Sequence, residues 1–314
     1  MPRKTLTPRI TDLDIETVDT CQSLYESHLR ATHSKSTADT YMYGVKSFDR
    51  WLSESTKTPD LTTVTEAVIN RYMESLREVA KPGTVITYWS GLRSFYAWCV
   101  TRGFVSVNPM THIKKPTATK TVIPNIPVDA IKRLLNSCDP NTYNGIRDRA
   151  IIMILFSTGM RRKELVGLTV DSYDRKHQTL KVTGKGDKER LVHVDESVRP
   201  ILNRYLKIRE LHGLASSTDA MWLGRSGGFQ ITAVIQMLNR RAKAAGLPAD
   251  VKINPHAWRH TYAHNYLDNG GQLDTLMASA GWANMAMVER YARANREQRA
   301  LRESERLNLG SLVC

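Results

Sequence analysis

The sequence predicts a mainly α-helical protein with a small β-sheet, an α+β fold divided into two units. Apolar residues recur three and four positions apart through most of the chain, which is typical of amphipathic helices. Residues 177–194 instead alternate around a loop with two glycines, which predicts a β-hairpin. Residues 113–127 hold three prolines and three lysines without a helical period, which indicates a linker between the units.

The composition of the chain restricts the classes of function that the protein can have. The chain has 314 residues, enough for one large domain or two ordinary ones. It carries 45 Lys and Arg against 31 Asp and Glu, a formal net charge of +14. Such an excess points first to a polyanionic partner, and nucleic acid is the commonest one. We find no secretory signal and no apolar run long enough for a membrane helix, so we expect a soluble, cytoplasmic protein with no membrane partner.

The first half of the chain is predicted to be an all-helical unit behind a basic, mobile arm at residues 1–15. Four helices are expected near residues 19–29, 36–52, 65–79 and 83–102. Their apolar stripes contain Tyr41, Val45, Phe48 and Leu52, then Val68, Tyr72 and Leu76, then Val85, Tyr88, Leu92, Phe95 and Cys99. Asn108-Pro109 ends the unit.

The second half, from about Val128, is predicted to be helical around the single hairpin. A helix from about Asn144 to Phe156 contains the run AIIMILF, and its apolar residues on every side indicate a central, buried helix that Gly159 ends. The apolar residues of the hairpin are Leu180, Val182, Leu191, Val192 and Val194. Further helices are expected near residues 131–135, 161–168, 196–211, 230–245, 256–268 and 272–280, with a charged helix and then leucines in 293–314.

Residue spacing gives no support for a bound metal or nucleotide. The four cysteines are Cys21, Cys99, Cys138 and Cys314. They lack CxxC pairing, which argues against a zinc ribbon or a disulfide framework. His256, His260 and His264 recur every four residues, but the cationic Arg259 among them would repel a metal ion and no carboxylate triad accompanies them. The loop TGKGDK lacks the spacing of a nucleotide-binding phosphate loop, so we expect no cofactor.

Two islands before the last quarter of the chain hold candidate functional side chains. Arg161 opens a helix with Glu164 one turn later, an arrangement that is often a plain salt bridge. Lys185 lies at the tip of the predicted hairpin, where a lysine is usually solvated. Neither island alone indicates a function.

The stretch from Ile253 to Tyr291 holds the other candidates. His256 and Arg259 are three apart, so they share one helix face and can both donate to an anion. Trp282 and Tyr291 would ordinarily be packing residues, although an indole N–H can donate to a phosphate oxygen. Taken with the earlier islands, these residues supply what phosphodiester cleavage without a metal requires: a hydroxyl nucleophile, several cations around one phosphate and a proton donor.

These islands, in this order, resemble the tyrosine recombinase (phage integrase) family, which contains Xer recombinases, Cre-type recombinases and phage integrases. The stretches that carry the resemblance are TGMRRKELVGLTVDSYD, TGKGDKERLVHV, PHAWRHTYAHN and AGWANMAMVERYA. In the first half, SKSTADTYMYGVKSFDRWL and TVITYWSGLRSFYAWCVTRGFVSVNP look like the core-binding domain of the family. Any single stretch is a weak signal, and their order and spacing together make a strong one.

The resemblance implies a catalytic set. Its members are Arg161, Glu164, Lys185, His256, Arg259, Trp282 and Tyr291. Tyr291 is the implied nucleophile, Lys185 the implied general acid, and Glu164 the acidic support of the first arginine. Most members of the family carry His at position 282, and Trp is the Cre-like alternative. The implied function is site-specific recombination through a 3′-phosphotyrosyl intermediate, without ATP or metal, in integration, excision or dimer resolution.

The resemblance also implies an architecture and partners. The expected parts are the arm at 1–15, a four-helix SAM-like core-binding domain at 16–112, the linker at 113–127, a DNA breaking–rejoining catalytic domain at 128–300 and a protomer-contacting tail at 301–314. The expected partner is double-stranded DNA with paired inverted sites, bound by a homotetramer as one dimer per site. The candidate DNA contacts are Lys46, Arg50, Lys81, Arg93, Lys114 and Lys115.

Three alternatives share some of these features. A non-catalytic architectural DNA-binding protein explains the charge and the helical units but leaves Arg161, Lys185 and Tyr291 together without a role. A type IB topoisomerase or a telomere resolvase would use related chemistry with a different product. A metal-dependent nuclease would also cut DNA, and its activity would be sensitive to EDTA.

Overall fold

The computed structural model describes residues 21–55, 60–117, 125–184, 187–292 and 296–308. The chain divides into two compact units, with the division between Lys120 and Thr121. The predicted arm at 1–15 lies outside the described residues. Both ends of the predicted linker are packed: the carbonyl of Ile113 accepts a hydrogen bond from Trp89 in the first unit (3.2 Å), and the N–H of Ile126 donates to Thr261 in the second (2.9 Å).

The described residues of the first unit form four helices, as the apolar stripes predict. They are Cys21–Thr32 (α1), Lys35–Ser55 (α2), Glu66–Val79 (α3) and Pro82–Thr101 (α4). Pro82 is the first residue of α4, a position whose backbone N–H makes no hydrogen bond within the helix, so the lack of an N–H in proline costs nothing there. Phe48 of α2 and both Leu92 and Phe95 of α4 are fully buried at the centre of the core. The amphipathic pattern therefore closes around one apolar interior.

The second unit is also mainly helical. Its helices are Val128–Asn136 (α5), Tyr143–Thr158 (α6), Arg162–Val166 (α7), Arg199–Arg209 (α8), Ile231–Ala244 (α9), Pro255–Asp268 (α10), Leu273–Ala280 (α11), Met285–Ala292 (α12) and Arg296–Leu307 (α13). The predicted central helix is confirmed as α6, in which Ile151, Ile152 and Leu155 are fully buried. The helix α12, which carries Tyr291, has no counterpart among the predicted helices.

The predicted hairpin forms two of three strands in an antiparallel sheet. The strands are Tyr173–Asp174 (β1), Thr179–Thr183 (β2) and Glu189–His193 (β3), in the order β1-β2-β3. Leu180 pairs with Val192, and both are buried against the core, while Leu191 of β3 faces outward. A second pair of short strands, Leu223–Gly224 (β4) and Gly227–Gly228 (β5), was not predicted. Within the described ranges, each helix is too short or too polar to cross a lipid bilayer.

A buried carboxylate of α6 ties this helix to α9 and, through its arginine partners, to the end of α5 and to β4. Asp148 of α6 accepts hydrogen bonds from Arg147 (2.8 Å), from Arg240 (3.0 Å) and from Arg241 (2.9 Å). Arg241 also donates to the carbonyl of Ser137, and Arg147 donates to that of Leu223. A fully buried carboxylate is stable here because several guanidinium groups compensate its charge.

We predict that Asp148→Asn lowers the stability of the second unit by about 3–5 kcal/mol, because it leaves buried guanidinium groups without their counter-charge. The matched control is Arg240→Gln, which removes a partner whose side chain is 57% exposed and should cost less than about 1 kcal/mol. Differential scanning calorimetry of the full chain measures both changes. Equal destabilisation by the two substitutions would contradict this account.

Candidate active site

A cleft of about 710 Å³ opens in the second unit beside the start of α7, the start of α10 and the segment from α11 to α12. The structure brings five of the predicted residues to its wall: Arg161, His256, Arg259, Trp282 and Tyr291. Glu164 lies behind the wall, in contact with Arg161. Lys185, the predicted hairpin lysine, lies outside the described residues.

The N-terminal end of α10 provides one side of the cleft. Asn254 caps the helix, since its side chain accepts hydrogen bonds from the N–H groups of His256 and Ala257, both at 3.0 Å. His256 is exposed, and Arg259 is buried one turn later on the same face, as the spacing of the two residues predicts. The positive end of the helix dipole adds to the charge of Arg259, so this wall attracts anions.

Three consecutive backbone carbonyls at the C-terminal end of α11 each bind a different arginine. The pairs are Ser279 with Arg190 (2.9 Å), Ala280 with Arg259 (2.5 Å) and Gly281 with Arg161 (2.6 Å). The last carbonyls of a helix have no partner within the helix and carry the negative end of its dipole. They therefore hold three guanidinium groups together that would otherwise repel one another. We call these three arginines and three carbonyls the arginine cradle.

Glu164 completes the cradle from the side of α7. Its carboxylate accepts hydrogen bonds from the backbone N–H of Arg161 (2.7 Å), from the side chain of Arg161 (2.6 Å) and from both terminal nitrogens of Arg190 (3.0 and 2.9 Å). Burial alone would raise the pKa of Glu164, but the hydrogen bonds from Arg190 and then Arg161 outweigh it and lower the pKa to about 2. The carboxylate is therefore ionised at neutral pH.

Arg259 is the most buried cation at the wall of the cleft. Burial lowers its pKa to about 10, and repulsion from Arg161 contributes to the shift. The group still carries its charge at neutral pH. Its guanidinium donates to the carbonyl of Gly159 (3.0 Å) as well as to Ala280, and it lies 4.7 Å from the ring centre of Trp282. Arg259 is thus fixed from three directions.

Two glycines shape the backbone that accepts these hydrogen bonds. Gly159 ends α6 and Gly281 ends α11, both in the left-handed conformation, with φ of 56° and 63°. A Cβ atom at Gly159 would lie 2.5 Å from the ring of Tyr262, and one at Gly281 would lie 3.1 Å from the guanidinium of Arg190. A side chain at Gly159 would overlap the Tyr262 ring, and one at Gly281 would displace the guanidinium of Arg190 by a few tenths of an ångström, so the geometry of the cradle depends on glycine at both positions.

Tyr291 is held against the wall of the cleft by aromatic contacts. Its side chain is 6% exposed and stacks on Trp282, with ring centres 5.0 Å apart and an interplanar angle of 17°. Its hydroxyl forms a hydrogen bond with Nδ1 of His260. The structure thus shows Trp282 as a stacking partner, and donation from its indole N–H to a phosphate stays a prediction.

Sequence reasoning missed two residues of this site. One is Arg190, which lies two residues before the inward-facing Val192 on β3 and therefore on the same face of the strand. A cation that points toward the core needs a buried partner. His260 was considered only as a metal ligand. The helical repeat places it one turn after His256, hence on the same side of α10 as the cleft. Both signals were present in the spacing of the chain.

The candidate DNA contacts of the first unit lie at its surface. Lys46 forms a salt bridge with Glu26 (2.8 Å), and Arg93 lies 5.3 Å from the ring centre of Trp89. The remaining four are also exposed: Arg50, Lys81, Lys114 and Lys115. Contact of these side chains with phosphate stays a prediction.

We predict that Glu164 makes the stability of the second unit depend on pH. Its pKa is about 2 in the folded protein and ordinarily 4.5, so its stabilisation is complete above about pH 4.5 and is lost as the pH falls toward 2. The loss should be about 3 kcal/mol. Urea unfolding of the wild type and of Glu164→Gln at pH 6 and pH 2.5 measures it. A difference in stability between the two proteins that is the same at both pH values would contradict the prediction.

Comparison with known proteins covers both units. Residues 124–298 match the phage integrase family, and residues 21–104 match the phage integrase N-terminal SAM-like domain. The chain is 30% identical over 281 residues to the tyrosine recombinase XerC of Myxococcus xanthus, with 87% of this chain and 93% of that protein covered. It is 28% identical over 260 residues to XerD of Lacticaseibacillus casei, with 82% and 87% covered.

Solved structures share the fold. The XerH site-specific recombinase bound to palindromic difH substrate superposes with a TM-score of 0.73 at 18% identity, covering 89% of this chain and 84% of that one. A lambda integrase tetramer bound to a Holliday junction gives 0.68 at 15% identity, with 90% and 82% covered. The predicted α+β fold, with a SAM-like domain before the catalytic domain, is confirmed. The chain belongs to the phage integrase family and is a tyrosine site-specific recombinase that acts on DNA.

Proposed function

We propose that Tyr291 attacks a DNA phosphate, forms a 3′-phosphotyrosyl link and releases a 5′ hydroxyl. The observation that supports this most directly is the position of Tyr291, which lines the same cleft as Arg161, His256 and Arg259. A phenolic oxygen in a cation-lined cleft is a nucleophile beside a site for a phosphate. The phosphotyrosyl ester retains the energy of the broken bond, so rejoining requires neither ATP nor a metal.

The arginine cradle supplies the electrostatic part of this reaction. Arg161 and Arg259 grip the non-bridging oxygens of the phosphate, whose charge grows in the transition state. Each guanidinium has five N–H donors, and the contacts described above use two of each. His256 and Trp282 add hydrogen bonds from the wall. Because the cations are fixed before DNA arrives, they need no reorganisation during the reaction.

Lys185 protonates the leaving 5′ oxygen in this proposal. It lies between β2 and β3, and β3 carries Arg190, which binds both Glu164 and the carbonyl of Ser279. The base of the hairpin is therefore tied to the cradle, which supports a role for its tip near the phosphate. An amine suits the task of general acid where neighbouring cations lower its proton affinity.

The enzyme acts as a homotetramer on two DNA sites, with two protomers on the inverted halves of each. The XerH structure with palindromic substrate and the lambda integrase tetramer support this assembly. The segment from residue 301 onward docks on a neighbouring protomer. On α13, Leu301 is 71% exposed and Leu307 is also exposed, as an apolar docking segment would be. Basic side chains of the first unit contribute phosphate contacts, so binding falls with salt.

We predict that Tyr291→Phe abolishes covalent capture of DNA while leaving DNA binding intact, because it removes the nucleophilic oxygen and keeps the ring that stacks on Trp282. A supercoiled plasmid carrying the DNA that flanks this gene is incubated with each protein in EDTA and quenched with SDS. The adduct is measured by gel and the binding by mobility shift. An adduct of equal yield with Tyr291→Phe would overturn the assignment. DNA cleavage that yields no adduct and occurs only when EDTA is omitted would favour a metal-dependent nuclease.

We also predict that Gly281→Ala slows cleavage about 10²-fold, because the new Cβ meets the guanidinium of Arg190 and shifts the carbonyl that holds Arg161. The matched control is Gly270→Ala. Gly270 also has positive φ (86°), but nothing lies within 4 Å of its Cβ position. Both substitutions should cost about 1 kcal/mol of stability from backbone strain. The rate of adduct formation separates them, and an equal loss of rate in both would contradict a role for the cradle.

A further inference from the structure

Tyr291 and His260 form a buried polar pair beside the cleft. His260 is 1% exposed, and its Nδ1 shares a hydrogen bond with the Tyr291 hydroxyl. The two ring centres lie 5.1 Å apart. Trp282 stacks on the tyrosine ring, and His264 meets its edge at 5.5 Å. The phenol is therefore oriented toward one nitrogen atom by contacts on several sides.

The chemistry of the two groups is complementary. A phenol ordinarily has a pKa near 10, so only a small fraction ionises at neutral pH and the neutral hydroxyl is a weak nucleophile. An imidazole ordinarily has a pKa of about 6.5, so it is mostly neutral at the same pH and can accept a proton. A neutral imidazole that accepts a hydrogen bond from the attacking hydroxyl satisfies the geometric requirement for a general base.

The charges around the pair favour this proton distribution. The titratable and charged groups that line the cleft near it are Arg161, Arg162, Lys163, His256 and Arg259, with His264 on the next turn of α10. Nearby cations in general disfavour protonation of an imidazole and favour ionisation of a phenol. A bound phosphate then adds negative charge, which makes a proton on the imidazole less costly during attack.

We propose that His260 is the general base that takes the phenolic proton of Tyr291 during cleavage, an inference that rests on the proposed role of Tyr291 as the nucleophile. As the tyrosine oxygen bonds to phosphorus, its proton passes to Nδ1 of His260. The bond from phosphorus to the 5′ oxygen breaks, and that oxygen takes a proton from Lys185. During rejoining both protons return, so the enzyme ends the cycle unchanged.

The first test needs no DNA, so it does not depend on the proposed function. Histidine labelled with ¹⁵N is incorporated into the full chain, and the His260 signal is assigned by its loss in His260→Asn. At neutral pH we expect the tautomer with the proton on Nε2, in which Nδ1 accepts from the tyrosine. We also expect Tyr291→Phe to shift the Nδ1 resonance. A proton on Nδ1 would mean that His260 donates to Tyr291, and the proposal would fail.

The second test separates proton transfer from positioning. In His260→Asn the amide can still hydrogen-bond from near the position of Nδ1 but cannot take up a proton. On the plasmid that yields an adduct with wild type, the cleavage rate should fall about 10²–10⁴-fold. The rate of the variant should keep rising with pH where that of the wild type levels off. A purely structural role would lower the rate without changing the shape of the pH profile.

Rescue by a more acidic nucleophile makes the test decisive. Tyr291 is replaced by a ring-fluorinated tyrosine, whose phenol ionises at lower pH, in wild type, in His260→Asn and in the matched variant His256→Asn. We expect a large gain in rate only in His260→Asn, since His256 is proposed to contact the phosphate. An equal gain in all three proteins, or wild-type activity in His260→Asn, would refute the proposal. Failure of the wild type to form any adduct would count against the proposed function, and the tautomer would still decide the direction of the hydrogen bond.

Discussion

The C-terminal carbonyls of α11 are the constraint on which the site depends. Three guanidinium groups within one small region repel one another, and a protein can hold them there only if fixed negative charge compensates. The helix end supplies partial charges from three successive carbonyls, and Glu164 supplies a full one. The arginines come from the start of α7, from β3 and from α10. Three distant parts of the chain thus meet at one helix end.

In the described part of the second unit, two buried carboxylates show how the same interaction serves different purposes. Asp148 and Glu164 each bind more than one arginine. The Asp148 group lies in the core between helices, where it ties packing elements together. Glu164 differs because one of its partners, Arg161, lines the cleft. The carboxylate of Glu164 therefore fixes the position of a cation that a phosphate in the cleft can reach.

Much of this structure follows from patterns that the sequence displays, and the misses have physical causes. Periodicity predicts the helices of both units, but it places Val68 and Tyr88 inward where the structure buries Ile69 and Trp89 more deeply. A helix that packs against several neighbours buries an arc wider than one stripe, so adjacent residues compete for the interior. The strands β4 and β5 have two residues each, which is too few for any period. The hydrogen bonds of Arg190 and His260 join residues far apart in the chain. Residue spacing predicts which side chains share a face of one element, but it does not predict which elements meet.

Trp282 links the electrostatic half of the site to its nucleophile. Its ring lies 4.7 Å from the guanidinium of Arg259 and stacks on Tyr291 at 5.0 Å. An indole has the area for both contacts and retains an N–H donor, whereas a histidine at this position would offer a smaller ring. Arg259 is fixed by hydrogen bonds to backbone carbonyls at the ends of α6 and α11. Trp282 packs against this fixed guanidinium, and its ring in turn positions the ring of Tyr291 on α12. The nucleophile is thereby placed relative to the cations through one rigid side chain rather than through its own short helix.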